Sequence, residues 1–349
     1  MEIIKSKKST IDFYYEQDFM NQSLLKTLQH GIVYMKKKEQ ELSDNNKSYF
    51  KIGSAVDSML TGDWFGLEYY VSNFEFNLSD TEQRITESVY NKIKDNCIVI
   101  NSDITSYYDI IVSVIDEMNY QSNWKLETRV KKIVEKCSEY FRVLVESNGR
   151  IILTNSEYDL IVSCVNRLKE VINNELSSLP TNSKVYYQLP LYFNYNDINC
   201  KSLLDMVIVT ESIVNGNTVI DVYPIDIKTT ASTPKKFIKN SFFNYGYDFQ
   251  ADFYTLALYK NKEMFSNKNS VVNIHDMRFI VVCTNDESKA FSCIYNTHRT
   301  NKRYINNDNI VLKYLNLYKW HIVNNEFNND KELSDSNYVL RTCAEERPE

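Results

Sequence analysis

The chain has 349 residues and a formal net charge of −6, from 40 Lys and Arg against 46 Asp and Glu. Hydrophobic residues make up 43% and charged residues 25%. This balance excludes disordered, collagen-like and coiled-coil proteins and leaves enough chain to bury a core. No apolar run approaches the roughly 20 residues of a membrane-spanning helix, and the first residues, MEIIKSKKST, lack the apolar segment of a secretory signal. We therefore expect no membrane partner.

The cysteines and histidines give no metal-binding pattern. The seven cysteines are irregularly spaced without a CxxC or CxxH motif, which disfavours a disulfide framework, a zinc ribbon and an iron–sulfur cluster. The four histidines are scattered. Reduced thiols are typical of a cytoplasmic protein. The mild acidity excludes a uniformly basic surface, but not a nucleic-acid enzyme whose basic residues line one groove.

The first half of the chain has the apolar spacing of helices. Residues 18–42 predict one or two helices, and residues 53–60 (GSAVDSML) predict the start of another, with Gly53 near its N-cap. Residues 81–180 contain four further helical segments. We assign 1–80 to the N-terminal helices of a core and 81–180 to a large helical insertion.

The second half alternates strands and helices, which predicts an α/β fold. Asn215-Gly216, between two strands, is typical of a tight hairpin. We assign 181–330 to a sheet with flanking helices and 331–349 to a polar, loose tail. The predicted elements are strands at 185–196, 199–211 and 218–230, a helix at 247–264, strands at 272–284 and 289–298, and a helix at 309–326.

Two acids and a lysine lie on the two strands of this hairpin. Asp226 and Lys228 are two residues apart, so they share one face of their strand. Asp205 and Asp226 are each about ten residues from the turn, so antiparallel pairing brings them close together. On its own, a DxK sequence is also typical of a solvated charge pair at a strand edge.

Carboxylates this close repel each other unless a cation lies between them, and Mg²⁺ is a hard ion that protein carboxylates commonly hold. The pattern favours metal-assisted hydrolysis of a phosphodiester. Lys228 is placed to orient or help deprotonate an attacking water and to screen charge on the phosphate.

Further polar residues extend this set. Gln250 and Tyr254 are four apart on a predicted helix, so they share one face and offer hydrogen bonds to a phosphate or a metal-bound water. They equally fit a polar pair on a core helix. Asp57 offers a third carboxylate from the GSAVD helix, or is simply an acid on a helix surface.

In this order, Asp205, Asp226-Ile-Lys228 and Gln250-xxx-Tyr254 resemble the PD-(D/E)xK nuclease superfamily. The pattern is closest to its lambda-exonuclease, exonuclease VIII (RecE) and RecB-like branch. Gly53-Ser-Ala-Val-Asp57 stands at the position of that branch's GxAxH-type helix. The resemblance runs from about residue 20 to residue 300.

Three positions depart from the family pattern. Asp57 replaces the usual His, Leu204 replaces the Pro that usually precedes the first Asp, and Asp226 is the less common alternative to Glu. The two acids and the lysine of the minimal set are retained.

The resemblance implies a restriction-endonuclease-like α-β-β-β-α-β core and one or two Mg²⁺ or Mn²⁺ ions. Asp57, Asp205, Asp226 and the backbone carbonyl of Ile227 are implied as metal ligands. It further implies that Lys228 positions and activates the water, while the Gln and Tyr of the following helix orient the lysine, the water or the phosphate.

Basic and hydroxyl side chains near these motifs are candidates for sequence-independent contacts with DNA phosphates, although solvated loops are the commoner origin of such clusters. They are Lys201, Thr229, Lys235, Lys236, Lys239, Arg299, Lys302 and Arg303.

We therefore expect a Mg²⁺-dependent deoxyribonuclease, and foremost an exonuclease that acts on duplex ends in recombination, repair or phage DNA metabolism. Its location would be the host cytoplasm if a phage encodes it. Relatives suggest a homo-oligomeric ring and a single-strand annealing protein as partner. Three alternatives remain: a Cas4-like or helicase-associated nuclease, a structure-specific endonuclease, and a catalytically silent DNA- or protein-binding module of the same fold.

Overall fold

The structure is a computed structural model. It describes residues 1–41, 48–62, 64–95, 99–266, 270–285, 290–295 and 309–327. The predicted DNA contacts Arg299, Lys302 and Arg303 and the predicted tail lie outside these residues. In the described part of the chain, no helix is long and apolar enough to cross a membrane.

The chain divides into two compact units. The first, here called the sheet unit, comprises residues 1–62 and 164–349, and the second, the helical unit, comprises residues 63–163. The sequence predicted a helical block over 81–180, so the separate unit both begins and ends earlier than the helical periodicity indicated.

The described strands, numbered in chain order, are β1 (Glu2–Lys5), β2 (Tyr69–Ser72), β3 (Ile151–Thr154), β4 (Lys184–Tyr195), β5 (Ile198–Val214), β6 (Asn217–Thr230), β7 (Ser270–Ile274), β8 (Met277–Cys283) and β9 (Phe291–Tyr295).

The described α-helices are α1 (Lys8–Glu16), α2 (Gln22–Thr27), α3 (Ile32–Glu41), α4 (Ser48–Thr61), α5 (Phe65–Glu68), α6 (Asp80–Lys94), α7 (Tyr108–Glu117), α8 (Leu126–Ser147), α9 (Asn155–Ser177), α10 (Pro234–Lys236), α11 (Phe242–Asn244), α12 (Tyr247–Lys260) and α13 (Ile310–Asn324).

The sheet unit is built on one mixed sheet with the strand order β1-β4-β5-β6-β8-β9 and with β7 paired to β6. Strands β4, β5 and β6 are antiparallel neighbours, whereas β8 runs parallel to β6. Parallel strands need a crossover connection, and here the crossover contains α12. The protein is therefore mixed α/β, as the sequence predicted.

The hairpin of β5 and β6 follows the predicted register. Its ladder runs from Val214↔Asn217 at the tip to Met206↔Ile225. Asn215 in the turn has a φ of 51° and Gly216 has a φ of 80°, the left-handed backbone that two-residue hairpin turns require. The prediction of a tight hairpin at this dipeptide is confirmed.

The predicted strand at 272–284 is wrong as one continuous element. It consists of β7, which pairs with the first part of β6, and β8, which pairs with the last part. The break falls at His275, whose ring stacks on Tyr223 at 4.1 Å and contacts Asp221 Oδ1 at 2.7 Å. These side-chain contacts hold the chain where the two strands separate.

The core of the sheet unit lies between the sheet and the helices α2, α12 and α13. Every residue of α12 from position 249 to 258 is buried, as expected for a helix packed on several sides. This helix therefore has a fixed position over the sheet, and its polar side chains between positions 249 and 258 face the protein interior.

The helical unit has its own core, formed by α6, α7 and α8. Helix α6 begins with a capping box in which Ser79 accepts a hydrogen bond from the Glu82 N–H and Glu82 accepts one from the Ser79 N–H. Ile85, Val89 and Ile93 follow at helical spacing and are fully buried. The block predicted as all helical, residues 81–180, contains one strand, β3, which pairs in parallel with β2.

Candidate active site

The two hairpin acids lie where β5 and β6 separate. Continuing the ladder one step beyond Met206↔Ile225 places Asp205 opposite Asp226. There Asp205 Oδ2 accepts a hydrogen bond from the Ile227 N–H at 2.8 Å. At this position the Asp205 side chain, and not the backbone of β5, accepts the hydrogen bond from the backbone of β6. The carboxylate is therefore fixed beside the DxK sequence.

Asp226 is fully buried and is contacted at both oxygens. Lys228 Nζ lies 2.6 Å from Asp226 Oδ2, and Gln250 Nε2 donates to Asp226 Oδ1 at 2.9 Å. The lysine and the aspartate share a strand face because they are two residues apart. A buried carboxylate requires such partners, since an unpaired buried charge is strongly destabilising.

Burial and mutual repulsion determine the protonation of this group. Burial raises the pKa of Asp226, and the Lys228 ammonium opposes that rise. Burial, followed by the charges of Asp226 and Asp57, raises the pKa of Asp205 well above its usual range. Burial lowers the pKa of Lys228, but the two hairpin carboxylates outweigh it and raise that pKa above its ordinary value. Lys228 is therefore held as a cation.

Helix α12 supplies Gln250 and Tyr254 to the same site. Tyr254 is almost completely buried. Burial, and then the charges of Asp226 and Asp205, raise its pKa well above the ordinary value, while a hydrogen bond with Gln250 opposes the rise. The phenol stays protonated and is a hydrogen-bond donor. The structure thus brings together all five residues that the sequence predicted as catalytic.

The charge of Asp57 acts on Asp205, but the Asp57 carboxylate is hydrogen-bonded to a residue outside the predicted set. Its Oδ2 accepts a hydrogen bond at 2.7 Å from Gln188 Nε2. Gln188, on β4, is buried and has a left-handed φ of 51°. Its flanking pairs Tyr187↔Met206 and Leu189↔Leu204 place it opposite Asp205.

Sequence reasoning missed Gln188. The signal that was available is the register of the β4–β5 hairpin, in which positions 188 and 205 are equally far from the turn at 196–197. The symmetry that links Asp205 to Asp226 across one hairpin therefore links it to Gln188 across the other.

Gly53 allows α4 to approach the catalytic strand. A Cβ atom at this position would lie 2.9 Å from Thr229 Oγ1, closer than ordinary carbon–oxygen contacts. Asp57 follows Gly53 by one helical turn, on the helix that this contact fixes against β6. The close approach accounts for a glycine at the first position of the GSAVD sequence.

The donor chemistry fits a hard divalent cation held by the two hairpin acids. Mg²⁺ commonly binds through one or two carboxylates and completes its shell with water and phosphate oxygens. Burial, followed by the charges of Asp226 and Asp57, raises the pKa of Asp205, and a cation between the two hairpin acids would stabilise their ionised forms. Within the part of the chain that the structure describes, no three His, Cys, Asp or Glu side chains are arranged to hold a metal together. The fit therefore rests on Asp205 and Asp226, and Asp57 is turned toward Gln188.

The predicted DNA contacts have different positions. Lys235, Lys236 and Lys239 are exposed, and Thr229 is half-buried beside Gly53.

Lys201 is buried in the sheet unit, where its Nζ donates to the carbonyls of Tyr14 at 2.9 Å and Gln17 at 2.5 Å. Its ammonium therefore fixes α1 to the sheet, which is a different role from the predicted phosphate contact.

Comparisons with known proteins assign neither a family nor a fold to this chain. No protein-family model matches the sequence, and no curated protein matches it. One similar solved structure is named "Putative exonuclease" and comes from Eubacterium rectale. It is 11% identical, covers 85% of this chain and 94% of its own, and has a TM-score of 0.32. A likeness at this level does not establish a common fold or activity.

Proposed function

We propose that this protein is a metal-dependent nuclease that hydrolyses phosphodiester bonds of DNA, with an active site of the PD-(D/E)xK type. The observation that carries the proposal is the convergence of Asp205, Asp226 and Lys228 with Gln250 and Tyr254 in one buried cluster. A structural ion pair needs only one acid and one amine. Two acids opposed across a hairpin are costly without a function that uses them.

The order of the elements also supports this proposal. Helix α4, strands β4, β5 and β6, helix α12 and strand β8 occur in this order in the sheet unit, with further elements between them. The order is the α-β-β-β-α-β order that a restriction-endonuclease-like core would have. The catalytic candidates lie on β5, β6 and α12, which supports the proposed assignment.

Each residue of the cluster has its own role in the proposed hydrolysis. Asp205, Asp226 and the carbonyl of Ile227 would hold one or two Mg²⁺ or Mn²⁺ ions. When bound, such an ion supplies Lewis-acid stabilisation of the charge that develops on the phosphate. The Lys228 ammonium, held by Asp226, orients the attacking water and stabilises the same charge. Gln250 fixes Asp226, and the Tyr254 phenol donates a hydrogen bond within the site.

Lys228 lies beside Asp226, where its amine can position the attacking water and stabilise the charge that develops on the phosphate. The substrate phosphate, or a carboxylate of the site, accepts the proton of the water. The hydrolysis then leaves a phosphate on one product and a hydroxyl on the other.

We further propose that DNA ends are the substrate, so that the enzyme is an exonuclease. A ring-shaped homo-oligomer and an annealing-protein partner remain predictions. A structure-specific endonuclease of the same fold is separated from an exonuclease by its cutting of closed-circular DNA.

The test is cleavage of end-labelled linear duplex, single-stranded DNA and closed circles with Mg²⁺ or Mn²⁺. Lys228→Ala is expected to lower the cleavage rate by about 10²–10³-fold, as for the loss of one charge-stabilising donor. Since Asp226 then loses its buried partner, Asp226→Asn serves as a second inactive variant, and circular dichroism checks that both fold. Lys131→Ala, at an exposed lysine of the helical unit, is the matched control.

Cutting of closed circles would reject an obligate exonuclease. No cutting of any DNA by the folded wild-type protein, with either metal, would overturn the nuclease proposal and leave the silent binding module.

A further inference from the structure

The segment between the catalytic strand and the catalytic helix is basic and free of acids. From position 228 to 247 the sequence contains no Asp or Glu but has lysines at 228, 235, 236 and 239, in a chain whose net charge is −6. Residues 234–244 form α10, a π-helical turn (Phe237–Ser241) and α11 in succession. We call residues 233–247 the aromatic–lysine segment. Its charge is complementary to a polyanion.

The aromatic residues of this segment differ in their exposure, and Tyr247 at its end is half-buried. Phe237 and Phe242 are buried in the core, whereas Phe243 is 50% exposed and Tyr245 is 61% exposed. Large exposed rings beside several lysines form the combination that binds unpaired nucleic acid, in which rings stack on bases and ammonium groups contact phosphates.

A series of ring contacts connects the exposed rings with the amine of Lys228. The Tyr245 ring lies 5.9 Å from the Tyr247 ring, and the Tyr247 ring lies 5.0 Å from Lys228 Nζ. On the other side, Phe243 contacts Phe242 at 5.2 Å. Through Tyr247, the Tyr245 ring is therefore no more than about 11 Å from Lys228 Nζ, so a base stacked on Tyr245 would lie near the active site.

The backbone at Tyr245 is fixed before any ligand binds. Lys26 Nζ donates to the Tyr245 carbonyl at 2.6 Å. The next residue, Gly246, has a left-handed φ of 67°, and a Cβ atom there would lie 2.7 Å from Lys26 Cδ. A ring carried on a fixed backbone loses little entropy when it stacks on a base.

We propose that Phe243 and Tyr245 stack on unpaired bases of a DNA strand whose phosphates follow Lys235, Lys236 and Lys239 into the active site. The identity of the ligand as DNA rests on the proposed function. In a duplex only the outer face of a terminal base pair is uncovered, so two rings that stack on separate bases favour a frayed or single-stranded end. The substrate class is therefore a DNA end with unpaired nucleotides.

Binding is measured without cleavage, in a chelator, with a fluorescent oligothymidylate, a blunt duplex, and oligonucleotides that carry 2-aminopurine near one end. The combined Phe243→Ala and Tyr245→Ala variant is expected to weaken oligothymidylate binding by about tenfold to a hundredfold and to abolish quenching of 2-aminopurine. Tyr245→Phe keeps the ring and is expected to bind as the wild type does. Tyr108→Ala, at an exposed tyrosine of the helical unit, is the matched control.

The outcomes separate this inference from the proposed function. If the wild type cleaves DNA but the double variant binds and quenches as the wild type does, the stacking inference is wrong and the nuclease proposal stands. If the double variant loses duplex and single-strand binding equally, the segment is a general phosphate contact and the inference is again wrong. If the wild type cleaves nothing, yet the rings are needed for single-strand binding, the nuclease proposal fails and the binding surface remains.

Discussion

The contact between helix α4 and strand β6 gives a prediction about the geometry that supports the site. A Cβ atom on Gly53 would lie 2.9 Å from Thr229 Oγ1, and Thr229 follows Lys228 directly. We predict that Gly53→Ala destabilises the protein and lowers DNA cleavage, because the helix that carries Asp57 must move away from the strand that carries the lysine.

The magnitude follows from two opposing effects. Overpacking of one methyl group costs about 1–3 kcal/mol, and Thr229 cannot relieve it easily because β-branched side chains are stiff about χ1. Replacing Gly by Ala inside a helix stabilises it by about 1 kcal/mol. The net destabilisation of Gly53→Ala is then about 0–2 kcal/mol.

Thr229→Ala removes the hydroxyl that the new methyl group meets. In that background Gly53→Ala is expected to stabilise the protein by about 1 kcal/mol, because only the helix-propensity effect remains. The four proteins of this double-mutant cycle are compared by urea unfolding, followed by circular dichroism, with cleavage measured in parallel. If Gly53→Ala changes the unfolding free energy equally in both backgrounds, the close contact is not what requires a glycine here.

Three further predictions concern other parts of the molecule. Burial raises the pKa of Glu82, but hydrogen bonds from Ser79 and the charge of Lys136 outweigh it and lower the pKa from 4.5 to about 2. The helical unit should therefore lose about 2 kcal/mol of stability as the pH falls from near 4.5 toward 2. Glu82→Gln should remove this pH dependence from acid-unfolding curves, and an unfolding free energy with the same dependence on low pH in both proteins would contradict the prediction. Gln188→Ala leaves the Asp57 carboxylate, whose charge acts on Asp205, without its hydrogen-bond donor; cleavage should fall about tenfold while DNA affinity in chelator stays unchanged, and unchanged cleavage would contradict this role. Replacing Lys235, Lys236 and Lys239 by Ala should lower the slope of log affinity for single-stranded DNA against log salt by about 2, and an unchanged slope would place these lysines outside the interface.

The sequence was sufficient to locate the acid pair and its lysine. An Asn-Gly turn sets the register of a hairpin, and alternation sets the face, so Asp205, Asp226 and Lys228 followed from counting residues. The helix with Gln250 and Tyr254 was predicted from periodicity, but only the tertiary structure shows that its polar residues face the acids.

Features that depend on distant contacts were not predictable in this way. Strand β1 has four residues and forms only by pairing with β4, so it has too few positions for an alternating pattern. A lysine is most often exposed at the protein surface, but Lys201 is buried and donates hydrogen bonds to two carbonyl groups of a segment far away in sequence. Local patterns carry no information about which charged side chain a remote helix covers.

The equal arms of the β5–β6 hairpin have a consequence for how this protein can change. Adding the same number of residues to both strands next to the turn would lengthen the hairpin and leave Asp205 across from Asp226. One extra residue on a single strand would slide one acid past the other and turn it to the opposite face. Insertions within the hairpin therefore preserve the active site only when both strands gain the same number of residues. The length of the hairpin can then change while the two acids keep their positions.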